Sequence, residues 1–316
     1  MAVDIKNYIG AFMDAYNGPF DGLWANDVAN IYTGLNSLST IIPGMESVPN
    51  LAAFSGTRQK NVPTDFEITL TSAPYESSVE YPLDNYNLDS IGIFENNVRE
   101  LARKARYQFN KLVTAVLTTN GICSDGQNFF DTDHPYTLSG AQTQKNLVTA
   151  SDISTLAVAN KLTPTDVEMA NVILDLFAHL IGLKDRQGDE ANGEDCRSVT
   201  LLVGDMKKWT AAIKAVSNER LSNLSDNPLQ GLADGGVKVK PIFVPTLTGD
   251  SIYMLRNDGA VKAVIAGEVV AEPIALGPES EYAREHRKVL FAYDAVRGAC
   301  PGRYQSAVKA TLSNAA

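Results

Sequence analysis

Between Asp89 and Gly121, apolar side chains return at every third or fourth position: Ile91, Phe94, Val98, Leu101, Ala105, Phe109, Leu112 and Val116. That period predicts one helix of about eight turns, ~45 Å long, ending at Asn120-Gly121 with the glycine as C-cap. A second helix is announced by Thr163-Pro164 and the capping box Thr165-x-x-Glu168, with Ala170, Ile173, Leu174, Phe177 and Ile181 as its core face. Residues 57–86 alternate instead, with Phe66, Ile68 and Leu70 on one face and Glu67, Thr69 and Thr71 on the other. With a turn at Ala73-Pro74 and a further run from Ser78 to Pro82, this predicts a β-hairpin projecting from the body.

Residues 184–197 read as a polar loop, followed by a buried strand, Val199 to Val203, and a helix from Asp205 through Trp209, Ile213 and Val216. A strand at Val237 to Val244 comes next. A hairpin then pairs Ile252–Arg256 with Ala260–Ile265 around Asn257-Asp258-Gly259. The order is that of an α+β layer with its own core. Lys288 to Val296 alternates strongly before breaks at Gly298 and Pro301-Gly302, and so late a strand is expected to return to the long helix. The first fifty residues carry only a short amphipathic pattern (Tyr8, Ile9, Phe12, Met13, Tyr16) interrupted by Asn17-Gly18-Pro19 and Ile41-Ile42-Pro43-Gly44. They are expected to lie across something other than their own core.

At 316 residues, 44% apolar and 20% charged, the chain has room for two packed units and no low-complexity tract. Met1 to Gly10 has no secretory pattern, and the apolar stretch Val172 to Leu183 holds Asp175 and His179 and is too short to span a bilayer. A soluble protein is expected. Cys123, Cys196 and Cys300 are too few and too far apart for a disulfide framework or a zinc site, and read as buried small residues. The net charge of −10 argues against broad nucleic-acid binding, although an acidic subunit can confine a polymer it does not grip.

The densest chemistry follows the long helix. Ser124 to Pro135 holds Asp125, Asp131, Asp133, His134, Phe129 and Phe130. Asp131, Asp133 and His134 are of the types that hold a hard divalent cation, and a metal-dependent hydrolase would need them, further ligands and a general base. Only His179 and His286 remain as histidines; the first lies in an apolar helix and reads as a core residue, the second in a charged, solvated run. GxSxG, HExxH, P-loop and GxGxxG motifs are missing from their required contexts. The bland alternative, a turn whose carboxylates accept backbone N–H groups and whose phenylalanines are buried, is preferred, with no catalytic residue, metal or cofactor. On the long helix, Arg99, Arg103 and Arg106, with Lys104 and Lys111, read either as a solvated face with i,i+4 pairs such as Glu100–Lys104, or as a docking strip for an acidic segment of another subunit.

The stretch Asp125-Gly126-Gln127, then Phe129-Phe130-Asp131-Thr132-Asp133-His134-Pro135, resembles the loop after the long helix in Mu-type phage major head subunits. Val48-Pro49-Asn50-Leu51 with Gly56-Thr57-Arg58, Tyr75-Glu76, Asp89-x-x-Gly92, Phe291 to Gly298 and Arg303-Tyr304-Gln305 follow in the same order. Ser124 departs from the pattern, which often has an aromatic there. The resemblance implies the tailed-phage capsid fold: an N-terminal arm (1–56), an extended β-hairpin loop (57–86), a peripheral domain with its spine helix (87–149), an axial domain (150–270) and a return to the peripheral domain (271–316).

It also implies a self-assembling structural protein of the virion. Subunits would form hexamers and pentamers of an icosahedral shell in the host bacterial cytoplasm, enclosing DNA without reading its sequence. Arg99, Arg103 and Arg106 would be candidate intersubunit contacts, and the partners would be the chain itself, a scaffolding protein, a portal and a decoration protein. Because the chain opens almost at once on the arm, a separate scaffold and little N-terminal cleavage are expected. A non-viral compartment shell of the same fold is the competing reading.

Overall fold

The computed structural model describes residues 5–19, 22–43, 67–89, 92–137, 140–223 and 225–315. In chain order its main elements are α1 (Ile5–Asn17), β1 (Ala29–Thr33), β2 (Ser39–Pro43), β3 (Glu67–Thr71), β4 (Ala73–Pro82) and α2 (Ile93–Thr119). There follow β5 (Leu147–Val148), α3 (Asp166–Ile181), β6 (Ser198–Val203), α4 (Met206–Ser217), β7 (Lys238–Phe243) and β8 (Ser251–Arg256). The chain closes with β9 (Val264–Leu276), β10 (Lys288–Pro301) and β11 (Ala307–Thr311). One sheet has the order β1-β9-β10-β4 and a second the order β7-β6-β8-β11-β5.

The long helix forms as its periodicity predicts. Gly92 enters it in the left-handed region, and the Asp89 carboxylate accepts from the amides of Ile93 (3.1 Å) and Phe94 (2.9 Å), two of the donors a helix start leaves unpaired. Its C-cap is Asn120 at φ 53, not Gly121. Over 27 residues, about 40 Å, the helix feeds two cores. Phe94, Val98, Leu101 and Ala102 pack with Tyr8, Phe12, Phe291 and Tyr293. Phe109, Val113, Val116 and Leu117 pack with Trp24, Val28, Phe129, Phe130 and Leu255. The second sheet is buried on both faces: Leu202, Tyr253 and Leu255 face that same cluster, while Leu201, Val203, Ile252 and Met254 face α3 and α4. The capping box of Thr165 and Glu168 is present at the start of α3.

Several pairings differ from those expected. Residues 57–66 lie outside the described residues, and the rest of 57–86 is not one hairpin. β3 pairs antiparallel with β2, so the ribbon joins residues on both sides of 44–66, whereas β4 crosses to pair antiparallel with β10. The 252–265 hairpin is also corrected. β8 pairs with β6 and β11 and is buried throughout its interior, so both its edges are taken. β9 instead runs in the first sheet between β1 and β10. β10 does return to the long helix, but β11 joins the second sheet, so boundaries at 149/150 and 270/271 do not separate the two sheets.

The N-terminal helix does lie across something other than a core of its own, and what it covers is the long helix and first sheet of its own chain. Tyr8 sits edge-on to Phe94 at 4.9 Å and Phe12 lies 4.9 Å from Tyr293, both within the same chain. Behind them Arg297, with no exposed surface, holds Glu268 at 2.6 Å, donates to Tyr16 (2.7 Å), Tyr293 (2.9 Å) and Gln108 (3.0 Å), and lies over the Phe109 ring. One guanidinium thus ties the first helix, the long helix and two strands together.

The base of the β2–β3 ribbon crosses the first sheet where Gly267 faces Gly298 across the β9–β10 pair. A Cβ on Gly298 would stand 2.3 Å from the Thr71 carbonyl oxygen, and one on Gly267 2.5 Å from Leu70. The glycine pair makes the notch through which the ribbon leaves the body.

Candidate assembly site: the helix-exit loop and the spine helix

Asn120 starts the loop by a two-pronged bond. Its Nδ2 donates to the Phe130 carbonyl (3.1 Å) and its Oδ1 accepts the Phe130 amide (2.7 Å). The nine residues between are folded into a small knob by Cys123 N to Gln127 O (2.7 Å), Gly126 N to Cys123 O (3.1 Å) and Phe129 N to Gly121 O (2.9 Å). Gly126 takes φ 84, a conformation open to glycine at little cost. The knob turns Phe129 and Phe130 inward, where both are fully buried against the second sheet.

His134 is buried as deeply as the phenylalanines. Its Nδ1 is 2.6 Å from Asp125 Oδ2, its Nε2 is 3.1 Å from Asn146 Oδ1, and its ring stacks on Tyr304 with centroids 3.8 Å apart and planes 6° from parallel. Asn146 is the hub. Its Nδ2 donates to the carbonyls of Phe129 (2.7 Å) and Tyr304 (3.3 Å), which leaves Oδ1 for the Asp131 amide (2.8 Å) and His134, so Nε2 is the donor there. Asp131 turns its carboxylate on the amides of Thr132 (2.7 Å) and Asn128 (3.3 Å). Asp133 departs from the expected role: it is exposed and among the described residues accepts only from the Thr132 hydroxyl, at 3.4 Å. Asp131, Asp133 and His134 do not converge, and among the described residues no group of three His, Cys, Asp or Glu side chains is placed to hold a metal ion.

Asp125, Asn146 and Tyr304 are the partners that sequence reasoning did not single out for His134. Asp125 was only one acid among three, and Asn146 and Tyr304 are brought in from 12 and 170 residues along the chain. A related knob follows α3, where Asp185 N bonds Asp189 O (2.7 Å), Gly188 N bonds Asp185 O (3.1 Å) and Ala191 N bonds Leu183 O (2.9 Å), with Gly188 again at φ 84. The legible signal was the left-handed glycine a few residues past each helix end. Gln144 joins the two knobs by exchanging bonds of 2.7 Å with both the amide and the carbonyl of Lys184. Nearby, Lys309 lies over the rings of Phe130 (5.8 Å) and Tyr253 (5.6 Å), and burial lowers its pKa. His179 is only half-buried and its Nε2 bonds the Lys145 carbonyl at 2.8 Å; His286 is exposed against Tyr282. All three cysteines are buried and free, and burial pushes the Cys196 thiol up to about 11 and that of Cys300 to about 12.

The three arginines of the long helix have three different settings. Arg99 makes an i,i+4 pair with Glu95, at 2.8 Å, as expected of a solvated face. Arg103 is exposed. Arg106 donates to the Gly18 carbonyl of its own chain, and Asn110 below it holds the Gly22 carbonyl (2.6 Å) and the Ala25 amide (2.9 Å).

A family model described as the Mu-like prophage major head subunit gpT matches residues 28–161. That interval contains the Val48-Pro49 stretch, the spine helix and the whole knob; Phe291 to Gly298 and Arg303-Tyr304-Gln305 lie outside it. The Mu-like prophage FluMu major head subunit of Haemophilus influenzae is 30% identical over 111 residues, 34% of this chain and 36% of that one. The matched region thus spans about a third of the length of the curated relatives. The procapsid of bacteriophage JBD30 matches in fold with a TM-score of 0.54 and 18% identity, over 98% of this chain and 73% of that one. The capsid of Cyanophage P-SCSP1u matches with 0.57 and 11%, over 91% and 87%. The resemblance read from the sequence is borne out in the matched region, and the α+β fold is that of phage capsid subunits.

Proposed function

We propose that this chain is the major head subunit of a tailed phage, a structural protein that assembles into hexamers and pentamers of an icosahedral shell around DNA. The observation that carries this is where the family match falls. It runs from β1 through the spine helix and the knob to residue 161, and so includes the helix that feeds two of the cores. The knob fits a structural role because Phe129, Phe130, Asp131 and His134 are all spent on internal contacts. Exposed Asp133 and Arg103 are free to meet neighbours, whereas Arg106 has a use within the subunit.

On this reading the first sheet and spine helix form the peripheral unit, the second sheet with α3 and α4 the axial unit around the capsomer axis, and the ribbon rooted at the Gly267–Gly298 notch reaches over a neighbour. A closed shell follows from many weak, repeated, heterologous contacts, not from any one strong one. A scaffolding protein, a portal and a decoration protein are the further partners, and assembly takes place in the host cytoplasm. The acidic N-terminal segment favours a scaffold, since like-charged copies repel at low salt. Electron cryomicroscopy of the purified protein tests the reading: closed icosahedral shells support it, and monodisperse small particles under all assembly conditions overturn it. Nucleic acid inside particles from infected cells supports the phage shell, and a packaged enzyme in its place supports the compartment alternative.

A further inference from the structure

Charge is divided between the two sides of the unit built on the first sheet. α1 and α2 cover the side that carries Phe291, Tyr293 and Ala295. On the other side Glu272 stands directly across from Asp294, and Asp294 directly across from Glu76. All three carboxylates are exposed, and none has an ion-pair partner among the described residues.

The outer surface of α2 has the reverse sign. Arg103, Lys104 and Lys111 are exposed, and none has an ion-pair or hydrogen-bond partner among the described residues. At 3.6 residues per turn they fall with half-buried Tyr107 inside a sector of about 100°, over ~12 Å of helix. The helix has two acids. Glu95 is taken by Arg99, and Glu100 stands at the N-terminal end of the strip. Beside the strip runs a groove of about 660 Å³ lined in part by Tyr75, Glu76, Lys104, Tyr107, Gln108 and Lys111, with Glu76 as its single carboxylate. In a chain of net charge −10, this arrangement confines attraction for a polyanion to one surface.

We propose that this strip holds the backbone of the enclosed DNA, with Arg103, Lys104 and Lys111 each meeting one phosphate and Tyr107 donating its hydroxyl between them. This rests on the shell reading and names the surface that each subunit turns to the lumen. It gives Arg103 a partner other than a neighbouring subunit. A duplex carries one charge per ~1.7 Å of its axis, so every cation finds a phosphate whatever the phase of the helix. Such contacts position the polymer and carry no sequence information. An acidic polypeptide would be held by apolar anchors as well as by charge, and the sector holding the cations contains no aliphatic side chain. The carboxylate row on the far side of the sheet repels the same polymer. Each copy therefore grips weakly and on one face, and the shell multiplies the contact.

The test is formaldehyde cross-linking of DNA-filled particles, with nucleotide adducts mapped by mass spectrometry. Adducts should fall on Lys104 and Lys111. Adducts confined to other lysines overturn the proposal, as does carbodiimide coupling of Lys104 or Lys111 to the carboxylates of another polypeptide. A second measurement reads the contact in solution. The unassembled full chain should bind a fluorescent duplex of about 30 base pairs with a salt slope of about −2.7, three phosphates at ~0.9 each, so affinity falls about 40-fold between ~50 and ~200 mM salt. Arg103→Glu, Lys104→Glu and Lys111→Glu together should weaken that binding at least tenfold with the circular dichroism spectrum unchanged, all three side chains being exposed. Equal binding by parent and variant overturns the proposal. Particles from infected cells that hold no DNA would instead sink the shell reading on which it stands.

Discussion

Asn146→Asp should unfold the knob although it changes hardly any volume. The Asn146 side chain has no exposed surface and serves four groups: the carbonyls of Phe129 and Tyr304 through Nδ2, the amide of Asp131 and the ring of His134 through Oδ1. In the aspartate variant the two acceptor contacts survive. The donor is replaced by an oxygen facing two carbonyl oxygens, one of which stood at 2.7 Å. Leaving a buried polar group unpaired costs about 1–3 kcal/mol, and burying an uncompensated charge costs more. A loss of about 3–5 kcal/mol is therefore expected, a large part of the ~5–15 kcal/mol that holds a domain together. Asn146→Ala should lose a similar amount by stranding all four partners. Urea unfolding of the unassembled subunit, with the midpoint compared at constant slope, reads the difference. If the hub mattered only for filling space, the aspartate would be harmless and the alanine costly. An aspartate variant within about 0.5 kcal/mol of the parent would refute the hydrogen-bond account.

Arg297→Lys should cost several kcal/mol, roughly 3–5, because one ammonium cannot replace a fork that serves Glu268, Tyr16, Tyr293 and Gln108 together; thermal melting checks it. Leu101→Ala and Phe109→Ala should each lose about 2–5 kcal/mol as large-to-small core changes, and a parental melting curve for either would contradict the helix packing. Hydrogen exchange should find α1 already protected in the unassembled subunit, since Tyr8 and Phe12 are buried on their own chain; protection appearing only in shells would contradict this. Asp250 is held below the usual carboxylate range by Lys161 and Lys208, so its stabilising effect is present at neutral pH and lost as pH falls below about 4. Asp250→Asn should thus lower stability at pH 7 and flatten its acid dependence, the buried Lys208 ammonium losing its partner.

What could be read along the chain was what depends on near neighbours in sequence. The 3.6-residue period gave the spine helix, Thr165 and Glu168 gave the start of α3, a short apolar run gave β6 and alternation gave β10, because in each case the signal lies within a few residues along the chain. The knob was recognisable by resemblance, and burial of its two phenylalanines by their apolarity. Its electrostatic core was not. His134 is satisfied by Asp125, by Asn146 and by a tyrosine 170 residues away, and no local pattern says which of three acids turns inward.

The sequence by itself determined the elements, the α+β class and the segment that marks the family. Tertiary structure alone decided the partners. Whether Ile252–Arg256 turns back on its neighbour or sits between two distant strands depends on which edges are already filled. Whether Glu67–Thr71 joins the strand after it or the one before residues 44–66 depends on a notch made by two glycines from other parts of the chain. The first helix shows the same logic: its apolar residues are too few to form a core, yet Tyr8, Ile9, Phe12 and Tyr16 complete one that Arg297, Phe94 and Tyr293 had left open. A strand edge or a helix face is specified locally, but what covers it is settled by competition among all the surfaces the chain must bury at once.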